Sequence, residues 1–181
     1  MTRQVLLFAL FSFWFTTLMD GQTIELLADK STVQFKIKNG GFWVNGAFSD
    51  INLQGTFFPT EITKSQWSAT LSVKSLDTGI KKRDTHLLSE DYFDADKYPS
   101  IKIVSKILKA TQNGYILEGD LQIKDVKKAI VIPFRVEEQG DHFLLKGELT
   151  LNRIDYGVGE KSWLMNQNVT ISIACAIKKT P

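Results

Sequence analysis

A two-residue alternation of apolar and polar side chains recurs along most of this 181-residue chain, and it constrains the fold more than any other feature. Alternation of this kind is typical of antiparallel strands that bury one face and leave the other in water. Six segments alternate in this way: 33–37, 51–57, 67–73, 115–123, 143–151 and 169–177. With 101–108 and 130–136, they predict an all-β chain of about eight antiparallel strands in one domain.

Short turn sequences separate the predicted strands. Asn113-Gly114 is the strongest hairpin signal, because both residues accept positive φ, and it is expected to join 101–108 to 115–123. Pro133 interrupts segment 130–136. Proline cannot donate a hydrogen bond to a sheet, so we expect this strand to lie at an edge or to carry a bulge there.

The alternation breaks once at length, between residues 77 and 98. Leu87 and Leu88, set among charged residues, predict one short amphipathic helix. Gly79 marks its start, and Pro99 prevents helix beyond Tyr98.

A helix this short is marginal in water by itself, so packing must hold it. The available apolar surface is an end or mouth of the sheet structure. We expect Leu87 and Phe93 to dock there, while Lys81, Lys82 and Arg83 face solvent at the edge of that end.

About eight half-buried strands can form a closed barrel or two packed sheets. Gly55, Gly119 and Gly147 all fall on the apolar side of long strands, where a glycine adds no packing. A barrel needs such positions for sharp bends or for interior space. Large neighbours such as Phe57 or Phe143 are the alternative occupants of that space, and the residues alone leave both interpretations open.

The N-terminus predicts export. Arg3 precedes an apolar run, 5–18, which is shorter than the roughly 20 residues of a membrane-spanning helix and ends at Asp20. We therefore expect residues 1–21 to be a signal peptide and residues 22–181 to be the mature domain, with no stable membrane span. An uncleaved anchor helix is the alternative.

Net charge and cysteine content exclude several function classes. The formal charge of +2 is small and the basic residues are scattered, so we expect no nucleic-acid partner. Cys175 is the only cysteine, which excludes an intramolecular disulfide. It lies on the apolar side of a strand, where a buried, inert thiol is expected.

Catalytic and metal-binding patterns are weak. His86 and His142 are too far apart in sequence to form a recognisable zinc motif, so we expect no metal or cofactor. His86 is instead expected to tie the helical insert to the barrel, and His142 to be an exposed turn residue. The sequence contains no Gly-x-Ser-x-Gly motif whose serine Asp84 and His86 could activate as a nucleophile, so we do not expect an enzyme.

Several motifs are similar to the signature of the YceI-like lipid/polyisoprenoid-binding family, and the likeness covers nearly all of the chain after the first two dozen residues. They are Asp77-Thr78-Gly79, Lys82-Arg83-Asp84, His86-Leu87, Asp91-Tyr92-Phe93-Asp94, Tyr98-Pro99, Ser105, Gly119-Asp120-Leu121-Gln122-Ile123 and Asn152-Arg153-Ile154-Asp155-Tyr156-Gly157. The resemblance implies an antiparallel lipocalin-like β-barrel with one short helical insert. It also implies an open interior that holds a long-chain isoprenoid or another lipid.

A periplasmic or secreted lipid carrier would line its cavity with the apolar side of the strands. The expected lining residues are Phe35, Ile37, Phe57, Trp67, Leu71, Leu117, Leu121, Phe134, Phe143, Leu145, Ile171 and Ile173. Lys82, Arg83 and Arg153 are candidates for contact with an anionic head group, and the arginine fork suits such groups best. For each of them, solvated charge or a salt bridge to Asp84 or Asp155 is the alternative. Two rival functions remain at this point: an enzyme acting on a lipid or small amide, and a filled-barrel structural protein. A homodimer is also left open.

Overall fold

The computed structural model describes residues 21–179 and contains, within them, eleven β-strands and one α-helix. The strands are β1 (Gln22–Thr23), β2 (Thr32–Asn39), β3 (Phe42–Phe48), β4 (Ile51–Phe57), β5 (Gln66–Ser72), β6 (Leu76–Asp77), β7 (Ser100–Thr111), β8 (Gly114–Ile123), β9 (Val126–Gln139), β10 (His142–Asn152) and β11 (Asn168–Lys178). The helix is α1 (Lys81–Leu88), and short 3-10 turns lie at Ala28–Lys30, Ile62–Lys64, Val73–Ser75 and Arg153–Tyr156. The predicted signal peptide falls mostly on residues outside the described range.

All strand pairs are antiparallel and form one curled sheet in the order β1-β4-β5-β7-β8-β9-β10-β11-β2-β3-β6. The predicted all-β barrel-like architecture with one helical insert is therefore confirmed. Two of the eleven strands, β1 and β6, are only two residues long. Of the nine longer ones, β3 is the strand that the sequence did not predict.

Burial follows the alternation that predicted the strands. In β8, Leu117, Leu121 and Ile123 are buried, whereas Glu118 and Gln122 between them are more exposed. The inner faces of the strands together form one apolar core. The sheet therefore curls around its apolar face, as burial of that face requires.

The hairpin predicted at Asn113-Gly114 joins β7 to β8. Further along this pair, the register shifts by one residue between Ser105 and Ile107, which marks a β-bulge. Gly119 lies opposite the bulge, and a Cβ at this position would come within 2.3 Å of the Val104 carbonyl oxygen. The glycine allows the two backbones to approach closely where the sheet bends.

Pro133 lies in β9, which is an interior strand and not an edge strand. Its position is nevertheless compatible with proline, because the ladder between β9 and β10 begins at Phe134 and does not include Pro133. On its other side, Pro133 pairs with Ile116 of β8. The strand behaves locally as an edge towards β10, because Pro133 lies beyond the end of the β9–β10 ladder and its missing N–H removes no hydrogen bond there.

Candidate functional site

The barrel interior contains an apolar cavity of about 140 Å³. Its lining includes Val33, Leu53, Trp67, Leu71, Ile103, Leu117, Leu121, Ile132, Phe134, Leu145, Leu149, Ile173 and Cys175. No charged side chain lines it. An engineered cavity of about 150 Å³ with a comparable aliphatic and aromatic lining stays dry and binds apolar guests. This inner cavity is therefore suited to apolar chain.

A second, larger cavity of about 590 Å³ lies between the interior and one end of the barrel. It is bounded by the helical insert, by the β2–β3 hairpin and by the segment from 153 to 165. The two cavities meet at a ring of five shared lining residues: Phe48, Ile101, Ile123, Leu151 and Ile171. We call the outer opening the mouth. The outer cavity therefore adjoins the inner one across these five side chains.

The opposite end of the barrel is filled by aromatic side chains. Phe57 is fully buried, and its ring lies 5.2 Å from the ring of Phe143 and 6.2 Å from that of Trp67. Neither Phe57 nor Phe143 lines either cavity. These two expected lining residues were thus assigned to the wrong place, because strand parity identifies the inner face without locating a residue along the barrel axis.

The other ten expected lining residues all border the cavities. Phe35 and Ile37 lie at the outer cavity, Ile171 at both, and Trp67, Leu71, Leu117, Leu121, Phe134, Leu145 and Ile173 at the inner one. Whether they contact a ligand stays a prediction. Gly147 also lines the inner cavity, in agreement with the interpretation that glycines on the inner face leave space.

The helical insert covers the mouth through apolar contacts. Leu87 and Phe93 line the outer cavity and pack against the core, and the Phe93 ring meets Phe48 edge-on at 6.1 Å. This is the position that the sequence predicted for them. Lys81 and Lys82 are exposed as expected.

Arg83 differs from the prediction of a solvent-facing residue, since it is half-buried. Its Nε donates to Thr78 Oγ1 and its Nη2 donates to the Thr78 carbonyl, both at 2.7 Å. Asp84 accepts from the Thr78 backbone N–H at 2.9 Å. Arg83 and Asp84 thus fix the start of α1 to the strand end before it.

Arg153 is buried, with 6% of its surface exposed. Its guanidinium donates to three carbonyl oxygens of the following loop: Asn166 at 3.1 Å, Val158 at 2.7 Å and Glu160 at 2.8 Å. Burial lowers its pKa from the ordinary value, yet an arginine stays charged at neutral pH. Both predicted head-group arginines border the outer cavity, but much of their donor capacity is used within the protein.

The charged residues that line the outer cavity are all basic: Lys82, Arg83 and Arg153, with His86 beside them. The sequence analysis named Lys82 as a candidate for head-group contact but missed His86 as a cavity residue. His86 was expected to tie the insert to the barrel, but it contacts Tyr92 and Asp91 within the insert itself, at 4.9 Å between rings and 3.7 Å from Nε2 to Oδ2. Lys82 and His86 both lie in the long break in alternation between residues 77 and 98, and this position was the sequence signal that could have placed them at the cavity.

The remaining candidates for chemistry are Cys175 and His142. Cys175 is buried, and desolvation raises the pKa of its thiol to about 11, so thiolate is scarce at neutral pH. His142 differs from the expected exposed turn residue, since it is the half-buried first residue of β10. Its Nδ1 lies 2.8 Å from Oδ1 of Asp141. Residues 21–179 contain no group of three or more His, Cys, Asp or Glu arranged to hold a metal ion. In the same range no helix has the length and apolarity to cross a bilayer.

Comparison with known proteins places these features in a family. Residues 25–177 match the YceI-like domain. The chain belongs to the YceI-like family. A UPF0312 protein of Photorhabdus laumondii is 30% identical over 118 residues, which are 65% of this chain and 62% of that protein. The protein YceI of Escherichia coli is 30% identical over 110 residues, or 60% of this chain and 58% of that protein. The chain therefore spans less than two thirds of these relatives.

Two solved structures agree with the fold. BcnA of Burkholderia cenocepacia superposes with a TM-score of 0.79 at 27% identity, over 84% of this chain and 99% of that one. A polyisoprenoid binding domain from Saccharophagus degradans gives a TM-score of 0.64 over 87% of this chain and 98% of that one. Its identity to this chain is 12%, so this second likeness concerns the fold alone.

Proposed function

We propose that this YceI-like protein is an exported carrier that holds a long-chain isoprenoid or another lipid in the interior of its barrel. The observation that carries the proposal is the pair of adjoining cavities, which share five lining residues and of which the inner one is lined by no charged side chain. Burial of apolar chain contributes roughly 25 cal/mol per Å² removed from water, so a long tail needs no further driving force. The polyisoprenoid binding domain from Saccharophagus degradans, which shares the fold, supports the same ligand class.

The lining chemistry also supports an orientation for the ligand. The apolar tail would occupy the inner cavity, and a polar or anionic head group would remain at the mouth, where the charged lining residues are basic. Lys82 and His86 are the better candidates for head-group contact, because the donors of Arg83 and Arg153 already serve protein oxygens. Binding and not catalysis is the function that an interior without charged groups favours.

Leu121 offers a direct test of the open interior, because it lines the inner cavity and is 2% exposed. Leu121→Trp is expected to block uptake of a polyisoprenoid alcohol with only a modest loss of stability, since the new ring occupies existing space. Leu121→Asp buries an unpaired carboxylate and is expected to lower the melting temperature severely as well. Val131→Trp, on the exposed outer wall, is the matched control and should retain uptake.

Mass spectrometry of organic extracts from the purified protein identifies the natural ligand directly. The expected result is a long apolar molecule that is depleted in Leu121→Trp and retained in Val131→Trp. If Leu121→Trp lowers the melting temperature as much as Leu121→Asp, the interior is packed and the cavity has no capacity for a ligand.

Export is proposed on the N-terminal sequence. The apolar run 5–18 is preceded by Arg3 and followed by Asp20. N-terminal sequencing of the native protein is expected to begin near Gln22, in a periplasmic or secreted fraction. Recovery of intact Met1 from a membrane fraction contradicts this proposal and indicates an anchor.

A further inference from the structure

The mouth of the barrel is surrounded by exposed apolar side chains. Of the eight large apolar residues that are exposed within residues 21–179, five lie at this end: Phe42, Trp43, Ile80, Trp163 and Leu164. Three of them are aromatic, with exposed fractions of 79% for Phe42, 62% for Trp43 and 92% for Trp163. We call these five residues the rim. Exposed aromatic side chains concentrated in one place indicate an interaction surface.

Backbone contacts hold the two main parts of the rim together. The Gly40 N–H, in the β2–β3 turn, donates to the Leu164 carbonyl at 2.9 Å, and Asn39 forms an isolated bridge with Met165. Asn39 and Met165 themselves line the outer cavity. Phe42 and Trp43 therefore stand beside Trp163 and Leu164 at the edge of the mouth. Ile80, which also lines that cavity, adds an apolar residue from the helical insert.

Lysines accompany the rim on each of its three segments. They are Lys36 and Lys38 in β2, Lys81 and Lys82 at the start of α1, and Lys161 in the loop before Trp163. None of these five forms an ion pair with a carboxylate of the described residues. The β2–β3 hairpin contains no Asp or Glu, α1 contains Asp84 alone, and residues 157–163 contain Glu160 alone. The rim surroundings are therefore net positive.

This combination fits the surface of a lipid bilayer. Tryptophan is enriched at the membrane–water interface, where its ring is buried and its N–H stays hydrated. Lysine stems lie along apolar surface while their ammonium groups reach anionic head groups. The Lys36 ammonium lies 6.0 Å from the centre of the Trp43 ring, so one such pair is already formed. The rim is also continuous with the mouth through which an apolar ligand enters.

We propose that the rim docks on an anionic bilayer and places the mouth of the barrel against the membrane. A lipid then passes between the bilayer and the cavity without exposing its tail to water, which removes the main free-energy cost of transfer. The transfer step rests on the proposed carrier function, whereas docking does not. Phe42, Trp43 and Trp163 insert at the level of the head groups, and the five lysines attract the anionic surface.

The test compares two double variants in vesicle flotation, with phosphatidylcholine vesicles that contain or lack phosphatidylglycerol. Trp43→Ser with Trp163→Ser removes two rim aromatics. Ile107→Ser with Val131→Ser removes exposed apolar side chains from the outer wall, where both residues pair with Glu118 of β8. The rim variant is expected to lose roughly ten-fold in partitioning to anionic vesicles, and the wall variant to match the unsubstituted protein. All proteins share one N-terminus, so its contribution cancels.

Lys36→Gln with Lys38→Gln separates charge from apolar contact. This variant is expected to bind anionic vesicles more weakly and to depend less steeply on added salt, because two of the five lysines that attract the anionic surface are removed and three remain. Unchanged partitioning of the rim variant, or an equal loss in the wall variant, overturns the proposal. So does a rim variant that alters the oligomeric state in analytical ultracentrifugation, because the rim would then be an interface between copies of this chain.

Extraction of bound lipid from the same samples distinguishes the two proposals. A rim variant that retains its lipid but no longer floats supports docking and leaves the carrier function intact. An unsubstituted protein that floats but contains no lipid, and takes up none in solution, supports docking and contradicts the carrier function.

Discussion

Arg153 shows how one buried side chain shapes the entrance of the cavity. Its three guanidinium hydrogen bonds reach carbonyl oxygens of residues 158, 160 and 166, so a single side chain organises the loop that carries Trp163 and Leu164. Charge-assisted hydrogen bonds contribute about 1.5 to 3 kcal/mol each. Burial of an arginine that has no carboxylate partner costs free energy, and the three hydrogen bonds offset this desolvation cost.

Arg153→Lys tests this role, because lysine keeps the charge but cannot reach three divergent carbonyls from one fork. We expect the free energy of unfolding to fall by roughly 3 kcal/mol and amide exchange in residues 158–166 to accelerate. Urea denaturation and hydrogen-exchange mass spectrometry measure the two effects. Arg135→Lys is the control, since Arg135 is exposed and donates one such bond, to the Asn113 carbonyl. Equal effects at both positions contradict a special role for Arg153.

At the scale of elements, the helical insert is held by a few side chains. α1 has eight residues, none fully buried, and a helix of this length is not stable alone. Leu87 and Phe93 dock it on the apolar mouth, while Arg83 and Asp84 tie its start to Thr78. The insert therefore has lower local stability than the extensively hydrogen-bonded sheet beneath it. Segments of this kind unfold locally before the rest of a domain.

Leu87→Ala is expected to loosen the insert without unfolding the barrel. Leu87 is half-buried, so we expect a loss of about 1 to 2 kcal/mol, below the 2 to 5 kcal/mol of a fully buried leucine. Hydrogen exchange should rise in residues 83–91 and bound lipid should exchange faster, while β11 stays protected. Glu90→Ala, at an exposed position of the same segment, is the control. Unchanged exchange in residues 83–91 means that Leu87 does not hold the insert.

The elements could be predicted wherever burial imposes an alternation. β8 buries alternate residues, and β10 alternates exposed residues with more buried ones over residues 145–151, as their sequences predict. β3 was not predicted because it begins with two adjacent exposed aromatic residues, Phe42 and Trp43, which break the alternation. These residues lie at the mouth and do not pack in the core. Phe57 and Phe143 were placed on the correct face but at the wrong depth. Depth along the barrel depends on strand register and tilt, which side-chain alternation does not encode.

At the scale of the whole molecule, the two ends of the barrel differ in a way that defines one route for a ligand. Phe57 and Phe143 fill one end, while the other end opens between the insert and the β2–β3 hairpin. A ligand would thus enter through the mouth with its tail leading, towards the inner cavity. The inner lining, apolar and incompletely packed, would gain contacts only when a tail occupies it.

Ligand binding should therefore stabilise the entire barrel, because the occupied cavity exists only in the folded state. Adding a polyisoprenoid alcohol to lipid-depleted protein, at about 100 times its Kd, is expected to raise the free energy of unfolding by about 2.7 kcal/mol. For a domain of about 150 to 250 residues this corresponds to a rise in Tm of about 5 to 11 °C, measurable by calorimetry. Leu121→Trp should show little or no rise, because its ring occupies the space that the tail needs. A rise of equal size in Leu121→Trp would place the ligand outside the inner cavity, and the inner lining would then be packing alone.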